Sequence, residues 1–113
     1  MIAVIFEVWT KPDRREDYFA MAAALRPELE AIDGFISIER FASLAEEGKI
    51  LSLSFWRDEE AVRRWRQNLH HREAQQAGRD AIFRDYRLRV VTVLRDYGMN
   101  ERTEAPLGSV GGP

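Results

Sequence analysis

The sequence predicts an α+β fold of the order β-α-β-β-α-β, built on one four-stranded antiparallel sheet. Three observations carry this. The opening MIAVIFEVWT alternates as a strand that is apolar on both faces. Two stretches, one after Pro12 and one after Asp58, repeat apolar residues at three- and four-residue intervals, as amphipathic helices do. FISIERFASL, KILSLSFW and YRLRVVTVLRDY are rich in β-branched and aromatic residues, the composition of strands.

In the first strand Ile2, Val4, Phe6 and Val8 share one face, while Ala3, Ile5, Glu7 and Trp9 share the other. A small antiparallel sheet ordinarily has helices on one face and water on the other, so two apolar faces imply a second cover, most simply a partner subunit. Asp13, three residues before Glu16, reads as a capping-box start of the first helix. Its stripe is Tyr18, Met21, Ala22, Leu25, Leu29 and Ile32, with an expected kink at Pro27 and a left-handed stop at Gly34. A hairpin follows, joined by AEEG, in which Leu51, Leu53 and Phe55 alternate with Ser52 and Ser54. Asp58 caps the second helical region, whose stripe is Ala61, Val62, Trp65 and Leu69 and which continues or restarts to Gln76. Gly78 loosens the chain before a last strand around Val90–Leu94. This order is that of the ferredoxin-like split βαβ fold, with both helices on one sheet face and the other face free for a second copy. Residues 1–97 form that domain, and 98–113, ending in PLGSVGGP, are expected to be a flexible C-terminal tail.

Composition narrows the function. A chain of 113 residues has room for one core. Its 17 basic and 19 acidic residues leave a net charge of -2, which removes the attraction that nucleic-acid binding needs. The absence of cysteine excludes disulfides, thiolate nucleophiles and cysteine metal sites. The apolar N-terminus reaches Lys11 and Pro12 before a spanning length, so no membrane partner is expected and a cytoplasmic location is.

Chemistry near pH 7 concentrates in FWRDEEAVRRWRQNLHHREAQ, which carries Trp65 and the only histidines, His70 and His71. Neighbouring histidines on a helix point about 100° apart, so they make no metal site. Trp65 and His71 are six residues apart and share a face only if the helix breaks near Asn68.

VIFEV, AIDGFISIERFAS, GKILSLSFWRDEEAVRRWRQN, HREAQ and FRDYRLRVVTVLRDY, spread over residues 2–97, resemble the antibiotic biosynthesis monooxygenase family. Its members are dimeric α/β-barrels made of two ferredoxin-like chains packed sheet to sheet. The resemblance implies a homodimer that holds a small phenol- or hydroquinone-like aromatic in an apolar pocket. It also implies oxidation without a bound cofactor, as a monooxygenase or quinol oxidase. The roles it suggests are His71 as base, Trp65 and Asn68 as donors to the developing oxyanion, and Phe6, Phe55 and Phe83 as walls. One arginine of Arg40, Arg84 and Arg87 would supply a cation. A non-catalytic ligand-binding or stress-response barrel is the alternative. Haem-degrading members share a first-strand asparagine, a tryptophan and a proximal histidine. Only the tryptophan is matched, by Trp65, and Gln75 stands at the histidine position, so haem binding or degradation is the lesser alternative and would need His70 or His71 as the substitute ligand.

Overall fold

The structure, a computed structural model, describes residues 1–107; the Leu69 side chain and residues 108–113 of the expected tail lie outside the described residues. Four strands, β1 (Ile2–Thr10), β2 (Phe35–Ala42), β3 (Lys49–Trp56) and β4 (Phe83–Thr92), form one sheet in the order β2-β3-β1-β4. Every adjacent pair is antiparallel. The helices are α1 (Arg15–Glu30), α2 (Glu59–Gln67) and α3 (Leu69–Ala77), with a π-helical turn over Gly78–Ile82. This is the ferredoxin-like α+β order, its second helical segment divided in three.

One local expectation changes. Asp13 takes φ 66°, outside the extended region a capping residue uses, and Arg14 holds the cap position without a side-chain cap bond. α1 runs through Pro27 to Glu30. Gly34 does take the left-handed conformation, φ 97°, and a Cβ there would stand 2.7 Å from the Ala61 Cβ. Glycine is therefore needed twice, for the turn and for the close approach of α2.

The parity of β3 fixes the site. Its helix-facing set is Ile50, Ser52, Ser54 and Trp56, exposed by 2, 6, 5 and 1%. Leu51, Leu53 and Phe55 consequently point to the outer face, in register with Glu7, Ile5 and Ala3 of β1. Phe55, expected as a pocket wall, is on the wrong side of the sheet for that role. The buried side chains form two clusters instead of one continuous core. One joins Val8, Tyr18, Ile50, Ile82 and Phe83. The other joins Leu29, Trp56, Ala61 and Val62, with Trp65 packed against it.

Past β4, residues 98–107 form turns: the Gly98 N–H donates to the Glu101 carbonyl at 2.6 Å, and the Arg102 guanidinium lies 5.3 Å from the Tyr97 ring centre. Among the described residues no helix is long and apolar enough to cross a membrane.

Candidate functional site

Between the two clusters lies a cavity of about 160 Å³. Its floor is two complete cross-strand rows, Arg40–Ser52–Phe6–Leu88 and Ile38–Ser54–Val4–Val90. α1 supplies Tyr18, Met21, Ala22, Leu25 and Leu29, and Phe83 closes one end. The rest of the lining comes from Trp56 of β3, from Val62, Trp65 and Arg66 on α2 and from His71, Ala74 and Gln75 on α3. Leu88 and Val90 line the space yet are 43 and 39% exposed, so it opens along the edge strand β4. The size is near that of an engineered cavity of ~150 Å³ that stays dry and binds benzene.

Trp65 and His71 meet because the chain breaks at Asn68. Its φ of -62° and ψ of 126° leave the helical region, so α3 starts in a new direction instead of prolonging α2. The Asn68 N–H donates to the Trp65 carbonyl at 3.1 Å, and its Oδ1 accepts from the His71 N–H at 2.9 Å. One residue thus closes α2 and caps α3. The two rings then stand 4.2 Å apart between centres, tilted by 39°. Expected as a donor to substrate, Asn68 instead spends its carbonyl oxygen on the cap and is not part of the cavity lining. Asn68→Ala should cost about 1 kcal/mol of stability and separate the rings, while Asn68→Asp keeps an acceptor and the stack. Denaturant unfolding followed by tryptophan fluorescence reads out both effects.

Burial pushes the His71 imidazole down to about 4, so the ring is neutral near pH 7. Its Nδ1 is shut away without a hydrogen-bond partner. Nε2 is not among the buried, unpartnered nitrogens of the described residues, and the ring lines the cavity. An orphaned buried N–H is rarer than an orphaned acceptor, which favours the proton on Nε2 and makes that atom a donor. His70 is the reverse case: it pairs on the surface with Glu28 of α1, and that carboxylate raises its pKa.

The structure therefore brings His71, Trp65, Phe6, Phe83 and Arg40 around one space, and leaves Asn68, Phe55 and Arg87 off it. Arg87 sits opposite Glu7 in the β1–β4 register and shares its outer face. Sequence reasoning did not single out Ser52, Ser54 or Tyr18 as lining residues. The usable signal was Trp56: it has the parity of both serines, and a tryptophan on that parity points the serines inward. Gln75 does line the cavity, at the position where a haem-degrading member has its iron ligand. A carboxamide is not among the usual axial ligands, and although the His71 imidazole also lines the space, ~160 Å³ is well below the several hundred Å³ of drug-sized pockets, so the cavity is too small for a haem. Among the described residues no group of three or more His, Asp or Glu side chains could hold a metal.

The sequence profile of the antibiotic biosynthesis monooxygenase family matches residues 1–77. A jasmonate monooxygenase of Pyricularia oryzae is 50% identical over 101 residues, which are 89% of this chain and 47% of that protein. YqjZ of Bacillus subtilis is 29% identical over 70 residues, 62% of this chain and 60% of that one. The chain thus spans about half the length of these relatives. Among solved structures, Rv0793 of Mycobacterium tuberculosis superposes with a TM-score of 0.76 at 22% identity, over 86% of this chain and 98% of its own. A solved antibiotic biosynthesis monooxygenase gives 0.72 at 14%, over 84 and 100%. Such identities establish a common fold and no more. The profile match covers well over half of the sequence, and on that ground the chain belongs to the antibiotic biosynthesis monooxygenase family.

Proposed function

We propose that this protein is a monooxygenase that oxidises a small ring compound, phenol- or hydroquinone-like, inside the cavity and without a bound cofactor. The observation that carries the reading is the apolar chamber between the two clusters, with the Trp65–His71 stack in its lining. The name of the P. oryzae relative supports the reaction class. In such a space water does not compete for a substrate oxygen, and each N–H donor acts at low dielectric.

His71 enters this chemistry as a donor. A phenol near 10 and an imidazole near 4 differ by about 6 units, so proton transfer to His71 is uphill by roughly 8 kcal/mol. The substrate therefore enters as the phenolate, its proton left to the bulk buffer at a cost of about 4 kcal/mol for a phenol near 10 at pH 7, and Nε2–H of His71 and the Trp65 indole N–H stabilise that anion. The ring anion then reduces oxygen. In a phenol with a vacant para carbon one oxygen atom forms a C–O bond there, the O–O bond breaks, and the second atom leaves as water. Phenol plus O₂ thus becomes quinone plus H₂O, the ring giving up the four electrons that O₂ accepts. A hydroquinone, whose para carbon already carries oxygen, gives two electrons and two protons to O₂ and leaves quinone and H₂O₂.

Oxygen uptake over a panel of hydroquinones, anthrones and jasmonate tests the proposal. Consumption above the buffer rate by at least tenfold for one of them is expected. No consumption by any compound that binds favours the second reading, a ligand-binding barrel without turnover, which is supported by the lack, in the lining among the described residues, of a strong base or of a thiol, lysine or carboxylate nucleophile.

We further propose a homodimer. Ile5, Leu51, Leu53, Phe55 and the 43%-exposed Phe41 occupy the outer face, which no helix among the described residues covers. Leu53→Asp puts a charge in the middle of that face and should convert dimer to monomer at micromolar concentration. Sedimentation velocity on both proteins measures it, and an unchanged species refutes the assignment.

A further inference from the structure

Among the described residues Arg40 is a cation without a counter-ion. Arg14, Arg26, Arg57, Arg63, Arg64 and Arg89 each reach a carboxylate within 4.0 Å. Arg40 is half-buried and reaches none, whereas others that reach none, such as Arg66, Arg72 and Arg84, are exposed to water. No Asp or Glu is found in the cavity lining among the described residues, and Arg66 is its only other charged group.

Arg40 is also held in place. Its Nε–H donates to the Tyr18 hydroxyl at 3.3 Å, and its guanidinium carbon lies 5.9 Å from the centre of the same ring. Tyr18 is 3% exposed, so this support is fixed. The contact uses one of the five guanidinium N–H groups, and among the described residues both terminal nitrogens are free, the fork that grips a carboxylate with two parallel bonds. A partly desolvated charge without a partner costs free energy in the empty cavity, and an anionic ligand offsets that cost.

Arg40 and the reactive pair lie toward opposite ends. Arg40 leans on Tyr18 of the first cluster, while Trp65 packs on the second. Along β2 the Arg40 row is one step, ~6.6 Å, from the Ile38 row that meets the second cluster.

From this arrangement we infer that the cavity takes a carboxylic acid, its carboxylate gripped by Arg40 and its ring lying against Trp65 and His71, two or three atoms away. The inference rests on reading the chamber as the substrate site and names the class of substrate. Neutral His71 offers the carboxylate no rival charge, and Arg66 adds a second cation.

Isothermal titration with 3-phenylpropionate and with 3-phenylpropanol, which differ only in the terminal group, tests it. Wild-type protein should bind the acid at least tenfold more tightly than the alcohol, by a margin that shrinks with salt. Arg40→Gln should bind the two within about twofold of each other, and Arg40→Lys should keep a preference of threefold or more. Equal binding by the wild type, no binding of either probe, or a preference undiminished in Arg40→Gln overturns the inference. Should Arg40→Gln bind neither probe, Arg40→Lys decides, since loss of the acid preference there also overturns it. Oxygen uptake is a separate readout: equal binding leaves the oxidation reading standing, whereas acid preference without oxygen consumption by any compound removes that reading alone.

Discussion

Ser52→Leu should make the protein more stable and inactive at once. Ser52 is 6% exposed, in the middle of the cavity floor, and its hydroxyl makes no hydrogen bond among the described residues. Replacing it by leucine breaks no bond and places three carbons in a space of about 160 Å³. At ~0.8 kcal/mol for each buried methylene, less some crowding, the gain is about 1–2 kcal/mol. The same carbons occupy the place of the substrate ring, so ligand affinity and oxygen uptake should fall by 100-fold or more. Ser54→Leu, one row away, is the control. The Ser54 hydroxyl accepts the Trp56 indole N–H at 2.9 Å, and Trp56 is 1% exposed. Losing that acceptor leaves a buried donor unpaired at a cost of about 1–3 kcal/mol, which offsets the burial gained. Denaturation midpoints and ligand titrations on both variants check the pair. A Ser52→Leu protein that binds like wild type means that the site lies elsewhere.

The contrast between these serines and Leu51, Leu53 and Phe55 shows where sequence reading ends. Alternation tells which residues share a face. It does not tell which face is inside when both are covered. β1 declared itself covered on both sides, and that legible fact removed the usual rule that the more apolar parity of β3 points inward. Phe55 and Arg87 were misplaced for this reason, one by the parity of β3 and the other by its pairing with Glu7. The helix break was legible from chemistry: two residues six apart can meet only across a break, and Asn68 is a residue type that caps. Its cap role excludes the substrate role also expected of it, because a side-chain oxygen committed to the His71 N–H is not offered to a ligand. The choice among arginines depended on the cross-strand register, in which Arg40 meets Ser52 and Arg87 meets Glu7. Local sequence does not carry that register.

The adjacent histidines should drive stability in opposite directions with pH, and the His71 contribution is the larger. Burial lowers its pKa from 6.5 to about 4 in the folded protein, so between these values the unfolded chain binds a proton that the folded one does not. Stability is therefore intact above about 6.5 and falls as the pH drops toward 4. The loss amounts to about 2–3 kcal/mol once partial exposure of the ring is allowed for. His71→Leu abolishes this term while leaving every carboxylate in place, so the difference between the two proteins isolates it. Free energies of unfolding at intervals from pH 4 to pH 8 should run parallel above about 6.5, with wild type losing 2–3 kcal/mol relative to the variant as the pH drops toward 4. Curves that stay parallel down to pH 4 mean that the imidazole is solvated. His70 works the other way: Glu28 raises its pKa, so its contribution is full below about 6.5 and disappears as the pH rises through the raised value. Glu28→Gln removes that dependence and leaves the acid-side loss. The two effects separate the rings physically, one as a surface tie from α3 to α1 and the other as a neutral wall of the chamber. A wall that stays uncharged down to about pH 4 can hold an N–H toward a substrate oxygen across the whole physiological range.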